Sequence, residues 1–188
     1  MEEARSLLNQ YPRYLHLAAS KTGPSGEIVE IAIADSNGSA LLDEFVRPRG
    51  AIRPQLSEIH GITNERVHAA PPWPEVWPKV RPVLLGQTVL CYDPAYCLGL
   101  LRQSHQVYHL RLDFDPIQLT GVRSLVAHYH QEVDPRRGVS HDFGLEQAAQ
   151  ALGLSSEAVY FRRSLDDAAL LRLILLRLAN PAGRLYTE

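Results

Sequence analysis

The chain has 188 residues, 45% of them hydrophobic, which is enough apolar material for one domain spanning 1–188 with a sizeable core. A formal net charge of −2 excludes a global basic field, so any nucleic-acid contact must come from local arginine groups. The two cysteines, Cys91 and Cys97, lack the spacing of a zinc site and fit a reducing compartment, so the expected location is cytoplasmic.

The acidic start MEEARSLLNQYPRY has no apolar run of signal-peptide length, and export is not expected. A short helix is expected over 2–10, then a compact apolar strand over 14–19 that ends in the turn Lys21-Thr22-Gly23-Pro24-Ser25-Gly26. Two β-prone runs, 28–34 and 40–46, flank Asp35-Ser36-Asn37-Gly38, where Asn-Gly is expected to supply the positive φ angles of a tight hairpin. Short helices are expected over 54–59 and 64–69 around Gly61, with a third over 73–84 in spite of its prolines. A strand over 88–92 then leads through Asp93 into a helix that opens on Pro94 and runs to about Ser104. The pattern predicts one more strand over 107–112, helices around 122–131 and 145–152 with a polar 134–140 loop between them, and a closing helix over 165–179. Asp166, Asp167, Arg172 and Arg177 interrupt that last apolar segment, which excludes a membrane span. Strands first, then strands alternating with helices, indicate an α/β domain with a mixed sheet.

Four segments in this order resemble the DEDDh branch of the DnaQ-like 3′–5′ exonucleases, over roughly residues 14–178. The most specific is Ile59-His60-Gly61-Ile62-Thr63, placed after Arg47-Pro48 and followed by Val67, Pro72, Val76 and the strand over 88–92. The resemblance implies a ribonuclease H-like mixed five-stranded sheet flanked by helices. It also implies a site where four carboxylates hold two Mg²⁺ or Mn²⁺ ions and a histidine acts as general base.

Residue by residue, that site is largely replaced. In Leu17-Ala18-Ala19-Ser20-Lys21-Thr22-Gly23, Ala18 stands where the family has its first aspartate and Ser20 where it has a glutamate. In Tyr92-Asp93-Pro94-Ala95-Tyr96-Cys97, Cys97 replaces the second metal-binding aspartate, and Asp93 takes an asparagine position, where it is expected to cap the helix entered at Pro94. In Arg162-Arg163-Ser164-Leu165-Asp166-Asp167-Ala168, Arg162 replaces the histidine and Asp167 alone is kept. Hard cations need oxygen ligands and a thiol is soft, so no metal cofactor is expected to bind. An arginine stays protonated and cannot serve as base, but it can grip a phosphate. Arg162, with His60 and Thr63 beside it, is therefore the expected nucleic-acid contact.

Other groups have plainer readings. His105 with His109, and His128 with His130, are expected to be solvated or structurally bonded rather than metal ligands, and His141 lies too early to be the family's histidine. Arg47, Arg49, Arg53, Arg136 and Arg137 are expected on solvated surface. Trp73 and Trp77 are expected to pack rather than to stack on bases. The 170–178 segment is apolar almost all round, which burial explains in the main and a protein partner or homodimer would use. The expected function is thus a noncatalytic exonuclease-like module that binds single-stranded nucleic acid or a protein. The alternative is a weak metal-dependent exonuclease with relocated ligands among Asp93, Asp166, Asp167 and His141.

Overall fold

The computed structural model describes residues 1–111, 117–133, 144–154 and 163–181, without the side chains of 130–133. Arg136, Arg137, His141 and Arg162 lie outside the described residues. The elements run α1 (Glu2–Leu8), β1 (Arg13–Ala19), β2 (Ile28–Ala34), β3 (Ala40–Phe45), α2 (Pro54–His60), α3 (Asn64–Val67) and α4 (Trp73–Leu84). Then follow β4 (Val89–Cys91), α5 (Pro94–Val107), β5 (Leu119–Gly121), α6 (Val122–Val133), α7 (Leu145–Ala151) and α8 (Ser164–Ala179). The five strands form one mixed sheet in the order β3-β2-β1-β4-β5, antiparallel from β3 to β1 and parallel from β1 to β5.

Alternation along the strands divides the core into two layers. Leu15, Leu17 and Ala19 of β1 face α4 and α5, and Tyr14 with Leu90 faces α8, α6 and α7. β2 is buried at every position and is the centre of the sandwich. α4 keeps two internal prolines, Pro78 and Pro82, because Trp73, Val76, Trp77, Val80 and Leu84 recur at helical spacing on its buried face. Trp73 and Trp77 rings lie 5.6 Å apart against the buried His105, so both tryptophans are core.

Two local expectations need correction. Only Gly38 has a positive φ in the β2–β3 turn. Its geometry comes instead from Asp35, whose Oδ1 accepts hydrogen bonds from the N–H groups of Asn37 and Ser39, both at 2.8 Å. The strand expected over 107–112 does not form in its described part. α5 runs on to Val107 and the chain then turns through His109 at φ 54°, leaving the short β5 to complete the sheet. Among the described residues no helix is long and apolar enough to cross a membrane.

α8 lies across β1 and β2, and one buried carboxylate sets its start. Glu30, in the middle of β2 and 0% exposed, accepts the Ser164 N–H at 2.8 Å and the Arg163 guanidinium. Arg163 also reaches Asp43 at 3.0 Å and covers the Phe45 ring at 4.4 Å. Glu30→Ala should therefore lower stability in urea denaturation by roughly 3 kcal/mol, since it orphans a buried N–H and a guanidinium. Asp43→Ala, at the exposed end of the same arginine, should cost less than about 1 kcal/mol. Equal losses at the two positions would place the anchor at the rim instead.

Candidate functional site

The head of α8 meets the end of β1 beside α2 and α5, and the positions singled out in the sequence converge there only in part. Ala18, Ala19, His60 and Asp167 line one cavity together with His16, Leu17, Leu56, Ile59, Tyr96 and Glu146. Cys97 opens onto a neighbouring cavity, and Ser20 lines neither of them.

The replaced positions are built into packing and backbone hydrogen bonds. Ala18 packs in a cluster with Val29, Ile52, Ile62 and Val67. Ser20, 0% exposed, follows a register shift at the end of β1. Its Oγ accepts the Glu27 N–H at 3.0 Å, and its carbonyl accepts the Arg53 N–H at 2.8 Å. Cys97 is buried with Leu15, Leu17 and Leu100 and pairs with the Cys91 thiol, which that neighbour and burial push up. Asp93 caps α5 as expected: its Oδ1 accepts the Tyr96 N–H at 3.1 Å, and its Oδ2 lies 3.0 Å from Arg123 Nη1.

The His60-Gly61 pair has a local mechanical reason. Gly61 ends α2 at φ 70°, where a side chain would strain, and folds the chain back so that the Ile62 N–H donates to His60 Nδ1 at 3.1 Å. His60 Nε2 lies 3.1 Å from the Ala19 carbonyl, which requires the proton on Nε2. Both ring nitrogens thus tie α2 to the end of β1, and burial pulls the imidazole below its ordinary value. Thr63 accepts the Arg66 N–H at 3.3 Å and so caps α3. Neither residue has a free polar group directed at the cavity by this bonding.

Sequence reasoning missed His16. It shares the strand face of Ala18, and its Nε2 sits 3.4 Å from Asp167 Oδ2 while its Nδ1 is 3.2 Å from Ser164 Oγ. Alternation along β1 was the available signal; the partnership with α8 was not visible. Burial, reinforced by Glu146, Asp166 and Glu30, pushes Asp167 up to about 7. Burial and the nearby His60 pull His16 down to about 4. At neutral pH the imidazole is uncharged and a proton resides on or near Asp167 for much of the time.

The two divalent ions of the DEDDh exonucleases do not fit these residues. Alanine supplies no ligand, Ser20 Oγ is committed to the backbone, Cys97 is apolar in setting, and Asp167 is engaged by an imidazole. Among the described residues no group of three or more His, Cys, Asp or Glu side chains is arranged to hold a metal ion.

No family model matches the chain. An uncharacterized exonuclease of Escherichia phage 186, CP81, is 30% identical over 112 residues, which cover 60% of this chain and 58% of the phage protein. The nuclease domain of 3′hExo, a DEDDh family member solved with rAMP, superposes with a TM-score of 0.68 at 18% identity over 92% of this chain and 93% of that one. The chain has the DnaQ-like exonuclease fold. E. coli exonuclease I, solved with a dA16 oligonucleotide, superposes with a TM-score of 0.68 at 14% identity, over 92% of this chain but 41% of that one. The chain therefore spans less than two thirds of the phage protein and of exonuclease I.

The paired shifts have opposite consequences for stability. Asp167 holds its proton more tightly folded than unfolded, so its contribution is full below its ordinary value of 3.8 and is lost as pH rises through about 7. His16 holds its proton less tightly when folded, so its contribution grows from about 4 and is complete above 6.5. In the intact pair the two nearly cancel. Urea denaturation at several pH values should show Asp167→Asn gaining stability with rising pH and His16→Asn losing it, each by roughly 1 kcal/mol per pH unit relative to wild type. If both variants keep the wild-type slope, the two groups do not share a proton.

Proposed function

We propose that this domain binds the end of a single-stranded nucleic acid in the cleft over β1 and does not carry out two-metal hydrolysis. The observation that carries this reading is the corner between β1 and α8, where Asp167 lies against His16 and, among the described residues, no group of three or more His, Cys, Asp or Glu side chains is arranged to hold a metal ion. In the two-metal reaction the ions activate the attacking water, and the residues at this corner do not supply the oxygen ligands that such ions need.

The walls of the cleft favour a base. Ile59 is 68% exposed and Tyr96 47% exposed, and both border the cavity floored by Leu17, Ala18 and Ala19. A large aliphatic and an aromatic side chain left in water beside a concave apolar floor are suited to stacking on an unpaired base, a contact worth about 1–3 kcal/mol per base. The DEDDh nuclease domain solved with rAMP and the exonuclease I solved with dA16 have this same fold, which supports nucleic acid as the class of ligand. Keeping Asp167 close to half-protonated at neutral pH reduces the repulsion a phosphate would meet.

The test is a paired assay on a labelled single-stranded oligonucleotide. Cleavage should be absent with Mg²⁺ or Mn²⁺, while binding measured by fluorescence anisotropy should persist in chelator and fall about tenfold in the Ile59→Ala, Tyr96→Ala double variant. Cleavage that both chelator and Asp167→Ala abolish would overturn the noncatalytic reading in favour of relocated ligands. Absence of binding in the wild-type protein would turn the search toward a protein partner.

A further inference from the structure

We infer that the strand held in this cleft continues past Tyr96 into two further cavities, and that Arg123 contacts its backbone there. The inference rests on the binding reading above and extends its site. The cavity over Ala18 and His60, about 220 Å³, shares His16, Leu17 and Tyr96 with a second of about 300 Å³. That second cavity shares Tyr92, Asp93 and Arg123 with a third of about 370 Å³, closed by Pro94, Gly121 and Ser124. A continuous trough thus runs from the head of α8 to the ends of the parallel strands β4 and β5. Its middle section offers Tyr96 and Leu145 as apolar surface over the buried Leu15 and Leu17, a setting for bases rather than for phosphates.

Charge along the trough singles out one residue. Arg123 is the sole lysine or arginine among the described residues that line the three cavities, whereas Asp93, Glu146 and Asp167 line them too. Among the described residues, a polyanion laid in this trough finds its one cationic partner at the far end. The guanidinium is already oriented: Asp93 Oδ2 holds Nη1 at 3.0 Å, and the Tyr92 ring lies beneath at 5.1 Å from its centre. Arg123 Nε is buried, and among the described residues it has no hydrogen-bond partner. The Arg123 side chain is 39% exposed, and its Nη groups are the atoms that a phosphate oxygen of the passing backbone would reach. Because Asp93 neutralises part of the charge, the contact is directional and depends on the planar fork, which lysine lacks.

The ligand class is therefore a single strand long enough to span the trough, not a mononucleotide or dinucleotide that would fill only the first cavity. Anisotropy titrations with 5′-fluorescein-labelled dithymidylate, octathymidylate and octauridylate test this. For Arg123→Ala, affinity for whichever octamer the wild-type protein binds should fall about tenfold while dinucleotide affinity stays unchanged, and Arg123→Lys should restore only part of the loss. Octamer affinity that is unaltered in Arg123→Ala but weakened by Ile59→Ala would overturn the inference and leave the binding reading standing. Equal losses for dinucleotide and octamer would also overturn it, because Arg123 would then act through packing. If the wild-type protein bound no probe, both readings would fall together.

Discussion

The carboxylate of Glu30 fixes the geometry on which the site depends. It sits in the middle of β2, in a run of isoleucine and valine, where an unpaired charge would be prohibitively costly. Its two oxygens are satisfied by the head of α8, one by the Ser164 N–H and the other by Arg163. That pairing sets where α8 begins, and the helical repeat then places Asp167 one turn on, against His16. Ser164 joins the same chain through its hydroxyl at His16 Nδ1. A single buried charge in β2 thus sets the position of the last helix and, through it, the protonation of the cleft. The folding energy spent on desolvating Glu30 is recovered as positional specificity, the role best attested for buried polar groups.

The order of elements was readable because each carried a local signal: a compact apolar run in β1, a β-prone run in β2, Asp-Pro before α5, and an apolar segment in α8. The failures are equally physical. β5 is three residues long, too short for any period to register, and the run after Gln106 reads as a strand when its described part is the last residue of α5 and the turn that follows. Glu30 stayed invisible because a strand buried on both faces shows no alternation, and nothing in the sequence names the distant partner that stabilises a charge there. His60 was legible as part of a motif but not in its role. Its ring ties α2 to β1, which depends on the positive φ of Gly61 and on a backbone carbonyl far earlier in the chain. His16 lay on the readable face of β1, yet its importance comes wholly from the helix it meets.

The residues at the corner stabilise it without an ion. Several carboxylates at one point repel one another unless a cation sits between them, and such a site is costly when empty. Here Ala18 joins a hydrophobic cluster, Cys97 joins the core between sheet and α5, and Ser20 closes a backbone turn. Each of these side chains contributes packing or a satisfied hydrogen bond, so the described corner holds together without an ion.

A two-metal site attracts a phosphate strongly at one point. Under the proposed reading, with Glu146 and Asp93 on the walls, affinity would come instead from apolar contact at Ile59, Tyr96 and Leu145, and from Arg123, the one guanidinium among the described lining residues. Such a distribution makes binding depend on ligand length, tolerant of base identity and only moderately sensitive to salt, because few phosphates are neutralised. It also makes the cleft pH-sensitive in one direction: as Asp167 loses its proton above about 7, negative charge appears where the strand end would lie, and a bound polyanion is disfavoured.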